Sequence, residues 1–71
     1  MLEIYVYKTI SLSSGINEEQ IAKATGIEVE LVNILVKELN YVYGVVYSIP
    51  DIDNLDEAGN PKLRWYKEVG A

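Results

Sequence analysis

The 71-residue chain predicts a small α+β domain, with two helices joined by a tight turn and a β-hairpin after them. Three observations carry this. Asn17 with Gln20 three residues later forms a capping-box pattern, and Gly26 follows at the distance where a glycine closes a helix. Val32, Leu35, Val36 and Leu39 recur at helical spacing and make one apolar stripe. Beyond them, two β-branched and aromatic runs flank a polar stretch.

The elements follow in chain order. Residues 1–14 read two ways. Leu2, Ile4 and Val6 alternate with Glu3, Tyr5 and Tyr7, as in a strand, and β-branched and aromatic content agrees. The same segment also places Leu2, Tyr5, Val6, Thr9 and Ile10 on one helical face. Gly15-Ile16 reads as a break, with the serines before it forming a turn. The first clear helix starts at Asn17, with Glu18 and Glu19 in its first turn, where the helix dipole favours negative charge. The next runs from about Glu28 to about Asn40, and the two together form a helix-turn-helix over residues 17–40. Residues 41–49 read as a strand interrupted near Gly44 and stopped by Pro50. Residues 51–62 read as a loop, and residues 63–69 as the return strand. The hairpin thus spans residues 42–69, and residues 1–71 are one domain.

Composition narrows the function classes. A domain this short buries only about 60% of its unfolded surface, so its core must be dense; 49% of its residues are hydrophobic. Six tyrosines, a tryptophan and many branched aliphatics argue against disorder. There is no cysteine, hence no disulfide and no thiolate metal site. There is no histidine, the commonest general base and metal ligand. Met1-Leu2-Glu3-Ile4 has neither the basic nor the apolar region of a signal peptide, and no stretch reaches the roughly 18 apolar residues of a membrane span. The cytoplasm is the expected compartment. The net charge of −5 counts against unaided nucleic-acid binding, although local patches matter more than totals.

The stretch Ile21-Ala22-Lys23-Ala24-Thr25-Gly26-Ile27, followed by Val32, Leu35, Val36, Lys37-Glu38-Leu39 and then Gly44-Val45-Val46, resembles the winged-helix family. The resemblance covers residues 16–49 well, the hairpin, or wing, loosely and the N-terminus poorly. It implies three helices and a wing of two or three strands, and therefore a helix over residues 2–13 against local propensity. It also implies a place in transcription or replication machinery, where such domains occur.

In DNA-reading members of that family, the second helix of the helix-turn-helix enters the major groove with a polar, basic outer face. Here, at 100° per residue, Leu35, Val36 and Leu39 lie within about 60° of Val32. Ile34 falls opposite that stripe and Leu31 well off it, with Glu30, Lys37 and Glu38 around them. Carboxylates repel phosphates, and aliphatics supply no positioning charge. An aliphatic patch with a charged rim suits protein docking. Packing of Leu31 and Ile34 inside the domain, or isolated exposure, explains them equally well, and DNA contact stands behind both.

Other constellations are weaker. The wing tip sets Asp51, Asp53, Asp56 and Glu57 against Lys62 and Arg64 at its base, which could touch a nucleic-acid backbone. The acidic run fails the EF-hand pattern because Leu55 occupies its fifth position and Asp56 its sixth. Ile52 and Leu55 suggest that this loop folds back to pack. Tyr41, Tyr43, Tyr47, Trp65 and Tyr66 cluster on the hairpin, where burial or an interface accounts for them better than base stacking without positive charge. The serines have no histidine for a triad, and no glycine-rich phosphate loop is present.

The expectation is a docking adaptor with no catalytic site, metal or cofactor. Its contact surface would comprise Glu30, Leu31, Ile34, Lys37, Glu38, Lys62, Arg64 and Trp65. The expected occupant is a protein or a second copy, with no small-molecule substrate. The alternative is a DNA-binding regulator, dimeric, whose basic charge comes from a partner or another domain.

Overall fold

The computed structural model describes residues 2–70. In chain order it holds α1 (Leu2–Ser11), β1 (Ile16–Asn17), α2 (Glu18–Thr25), α3 (Val29–Tyr41), β2 (Val46–Leu55) and β3 (Pro61–Lys67). This is an α+β fold of three helices and one antiparallel sheet, ordered β1-β3-β2.

The signals around α2 are local, and they act as read. The Asn17 side chain accepts from the Gln20 amide at 2.8 Å, and the Gln20 side chain accepts from the Asn17 amide at 3.1 Å. Gly26 closes α2 in the left-handed region, φ 76°, with its N–H on the Ala22 carbonyl. α3 then buries Val32, Leu35, Val36 and Leu39 in one cluster with Val6, Ile10, Ile21, Val46 and Trp65.

Residues 2–11 are helical, so the alternation of Leu2, Ile4 and Val6 misleads. A helix presents Val6 and Ile10, one turn apart, to α2 and α3 while Lys8 between them stays exposed; a strand would set all three on one face, and both aliphatics are fully buried. Of the helical face marked in the sequence, Leu2 and Tyr5 remain exposed. The serine turn closes α1 through hydroxyl bonds from Ser11 to the Lys8 carbonyl and from Ser13 to the Ile10 carbonyl.

Four boundaries need correction. Ile16 and Asn17 are not a break: they pair with Trp65 and Arg64 as a third strand. α3 extends to Tyr41, so Tyr41 belongs to the helix and β2 begins at Val46. β2 continues through Pro50 to Leu55. It is an edge strand, where a proline nitrogen can turn away from the ladder without losing a hydrogen bond. β3 begins at Pro61 and ends at Lys67, so the expected loop shrinks to residues 56–60. There Asp56 organises the turn: its carboxylate accepts from the Ala58 and Asn60 amides, and its own amide donates to the Asn60 carbonyl. Between Asp51 and Leu55 the register slips, and the Asp53 amide donates to the Asp51 carboxylate. Ile52 is 77% exposed and Leu55 54%, so this stretch does not fold back to pack.

The two faces of the sheet differ. Trp65 pairs with Ser48 on the inner side and is buried. Tyr47 and Tyr66, one step along, share the other face and stack with ring centroids 5.3 Å apart. Tyr66 also lies over Gly15, where a Cβ would meet its ring at 2.7 Å. No helix among the described residues is long and apolar enough to cross a membrane.

Candidate functional site

α3 is amphipathic around its whole circumference, and each side has a different neighbour. Its inner face is the core stripe. On one flank Asn33 donates to Glu18 Oε1 at 2.8 Å. The other oxygen of Glu18 accepts from Trp65 Nε1 at 3.2 Å. One half-buried carboxylate thus ties together α2, α3 and β3. On the opposite flank Glu38 shares a hydrogen bond with Glu3 of α1. That bond raises the Glu38 carboxyl above the ordinary 4.5, with burial and the Glu3 charge adding to it. It lowers Glu3, whose own backbone contributes in the same direction.

The outer face is a row one helical repeat wide: Glu30, Ile34, Lys37 and Tyr41, with Leu31 beside it. Ile34 is 61% exposed, Tyr41 81% and Leu31 36%. Ile34 and Leu31 are therefore not core residues. Neither Glu30 nor Lys37 has an ion-pair partner among the described residues.

The eight expected contact residues separate into two groups. Glu30, Leu31, Ile34 and Lys37 sit together on α3. The other four lie elsewhere or are already engaged. Glu38, one turn from Ile34 and on the side of Leu31, is engaged with Glu3 of α1. Trp65 is 3% exposed, a core residue whose indole N–H is already satisfied. Lys62 is ion-paired with Glu19 of α2. Arg64 donates to the Gly15 carbonyl at 2.8 Å and to Asp51 at 3.5 Å. Lys62 and Arg64 thus brace the sheet against α2 and the segment before it.

This arrangement bears on nucleic acid. Of six lysines and arginines, Lys62 and Arg64 are held in ion pairs on the sheet, and α3 carries only Lys37. The hairpin tip beyond them is acidic. The aromatics do not form one platform either. Tyr47 and Tyr66 stack on the outer sheet face, Trp65 lies on the opposite face, and Tyr41 and Tyr43 precede the sheet. Among the described residues no group of three acidic side chains is placed to hold a metal ion, and no polar side chain is buried.

Sequence reading missed Tyr41 as a site residue because it assigned the residue to a strand, although spacing from Glu30, Ile34 and Lys37 marks it. It also missed the Glu18 bridge, for which no sequence signal exists. No protein-family model, no curated protein and no solved structure matches the chain.

Proposed function

We propose that this chain is a winged-helix docking module without catalytic function, acting within a transcription or replication assembly. In this reading α1, α2 and α3 are the three helices and β2–β3 the wing. The observation that carries it is the outer face of α3, where Ile34 stands exposed between the Glu30 carboxylate and the Lys37 ammonium, with exposed Tyr41 one turn beyond. Such a face gains nothing for folding, while burying Ile34 in a partner contributes about 1.5–3 kcal/mol. A groove-reading helix needs several positive or amide side chains there, and the wing cations that could have assisted are bound internally.

Two measurements test the reading. In an NMR titration with duplex DNA at low salt, the domain is expected to bind no tighter than about micromolar. A photocrosslinking amino acid replacing Ile34 is expected to yield protein adducts in the host cell, whereas the same group replacing Glu57 at the wing tip yields none. Tight DNA binding that weakens steeply with salt and maps to α3 overturns the proposal in favour of a DNA-binding regulator.

A further inference from the structure

We propose that the outer face of α3 is the two-fold interface of a homodimer, α3 packing antiparallel on α3 of a second copy. This rests on the docking reading and names its occupant. The argument is charge complementarity under symmetry. A closed dimer presents the same patch twice, so the patch must complement itself. Glu30 and Lys37 are seven residues apart, about 10 Å along the helix, and both are exposed and unpaired among the described residues. A two-fold axis crossing α3 between Asn33 and Ile34 exchanges positions 30 and 37. Each Glu30 then meets the partner's Lys37, and the two Ile34 side chains meet near the axis, where water is excluded. Parallel packing would instead set Glu30 on Glu30 and Lys37 on Lys37.

The row extends to Tyr41, which in the antiparallel arrangement passes the partner's Glu30 toward the start of its α3. α3 is 13 residues long, about 20 Å. One helix face of that length buries less than the roughly 1,200 Å² of a standard stable interface. The dimer is therefore weak and concentration-dependent. It also covers the surface through which α3 would enter a DNA groove.

Sedimentation equilibrium of the full chain at low salt, from about 10 μM to about 1 mM, tests this in the range where small interfaces associate. The weight-average mass is expected to rise from 8.0 kDa toward twice that value. Ile34→Glu is expected to stay at one chain's mass while keeping the wild-type circular dichroism. Glu30→Lys and Lys37→Glu should each weaken association about tenfold or more, since symmetry reverses both pairs at once. Mixed together, these two variants should associate with each other, and the double variant should recover wild-type behaviour. A wild-type chain that stays monomeric throughout overturns the dimer but leaves docking onto a different protein standing, which the crosslink at position 34 reads separately. Association that survives Ile34→Glu, or single charge variants that self-associate like wild type, overturns the interface and its register.

Discussion

The inner and outer faces of α3 both carry large apolar residues, and these have opposite fates. Inside, Val32 and Val36 are fully buried, and Leu35 and Leu39 nearly so. Outside, Ile34 and Tyr41 face solvent. Hydrophobicity does not separate them, since isoleucine is as apolar as any residue in the stripe. Angle does: the inner residues sit where α1, α2 and the sheet converge, and the outer ones point where no further element lies among the described residues. An aliphatic side chain thus reports burial only once the helix periodicity says which way it points.

Substitutions around the circumference of α3 test this contrast. The largest effect belongs to the inner face. Leu35→Ala should cost about 2–5 kcal/mol, most of the stability of a domain this small, measured by urea unfolding. A variant with the wild-type midpoint would remove Leu35 from the core. Next comes the flank held by Glu18. Glu18→Ala leaves the Trp65 and Asn33 donors unmatched and should cost about 1–3 kcal/mol, whereas Glu18→Gln, which keeps one acceptor, should cost less. Equal losses for the two variants would assign the effect to packing instead.

Beneath the sheet, Gly15→Ala combines φ 116° with contact against the Tyr66 ring and should cost about 1–3 kcal/mol. A neutral result would mean that Tyr66 moves aside freely. On the outer face, Ile34→Ala should change stability by less than about 0.5 kcal/mol, the range of ordinary surface substitutions. A loss as large as that of Leu35→Ala would erase the distinction between the two faces.

The smallest effect is expected on the remaining flank and concerns pH. Glu38 is raised, so its contribution is present below its unfolded value and is lost as pH rises through its folded value. Glu3 is lowered, so its contribution is present above its unfolded value and is lost as pH falls through its folded value. The shared proton therefore helps most near the ordinary 4.5 and leaves two facing carboxylates at neutral pH. Glu38→Gln should slightly raise the melting temperature at pH 7 and flatten its dependence between pH 4 and pH 7. An unchanged pH profile would show that the two carboxyls do not interact.

Much of the candidate site was legible because α3 is regular. Setting Val32 at the centre of the stripe places Ile34 outside without any knowledge of neighbours. The hairpin residues were not legible in the same way. Lys62 and Arg64 look like free cations in the sequence, yet their partners Glu19 and Asp51 lie 43 and 13 residues away. Trp65 reads equally as core or contact until Glu18 is seen to hold its indole.

The sequence alone determined the α2–turn–α3 unit, because its signals act within a few residues. The Asn17–Gln20 cap, the Gly26 closure and the i, i+3, i+4 stripe are made by neighbours along the chain. Only the tertiary structure decided the rest. Residues 2–11 are helical because Val6 and Ile10 must reach the core while Lys8 between them stays out of it, a demand that overrides the β-branched and aromatic preference of the segment. Ile16 and Asn17 become a strand because β3 offers them a free edge from about fifty residues away. Pro50 stays within a strand because its strand lies at the rim of the sheet, where one missing donor goes unfelt.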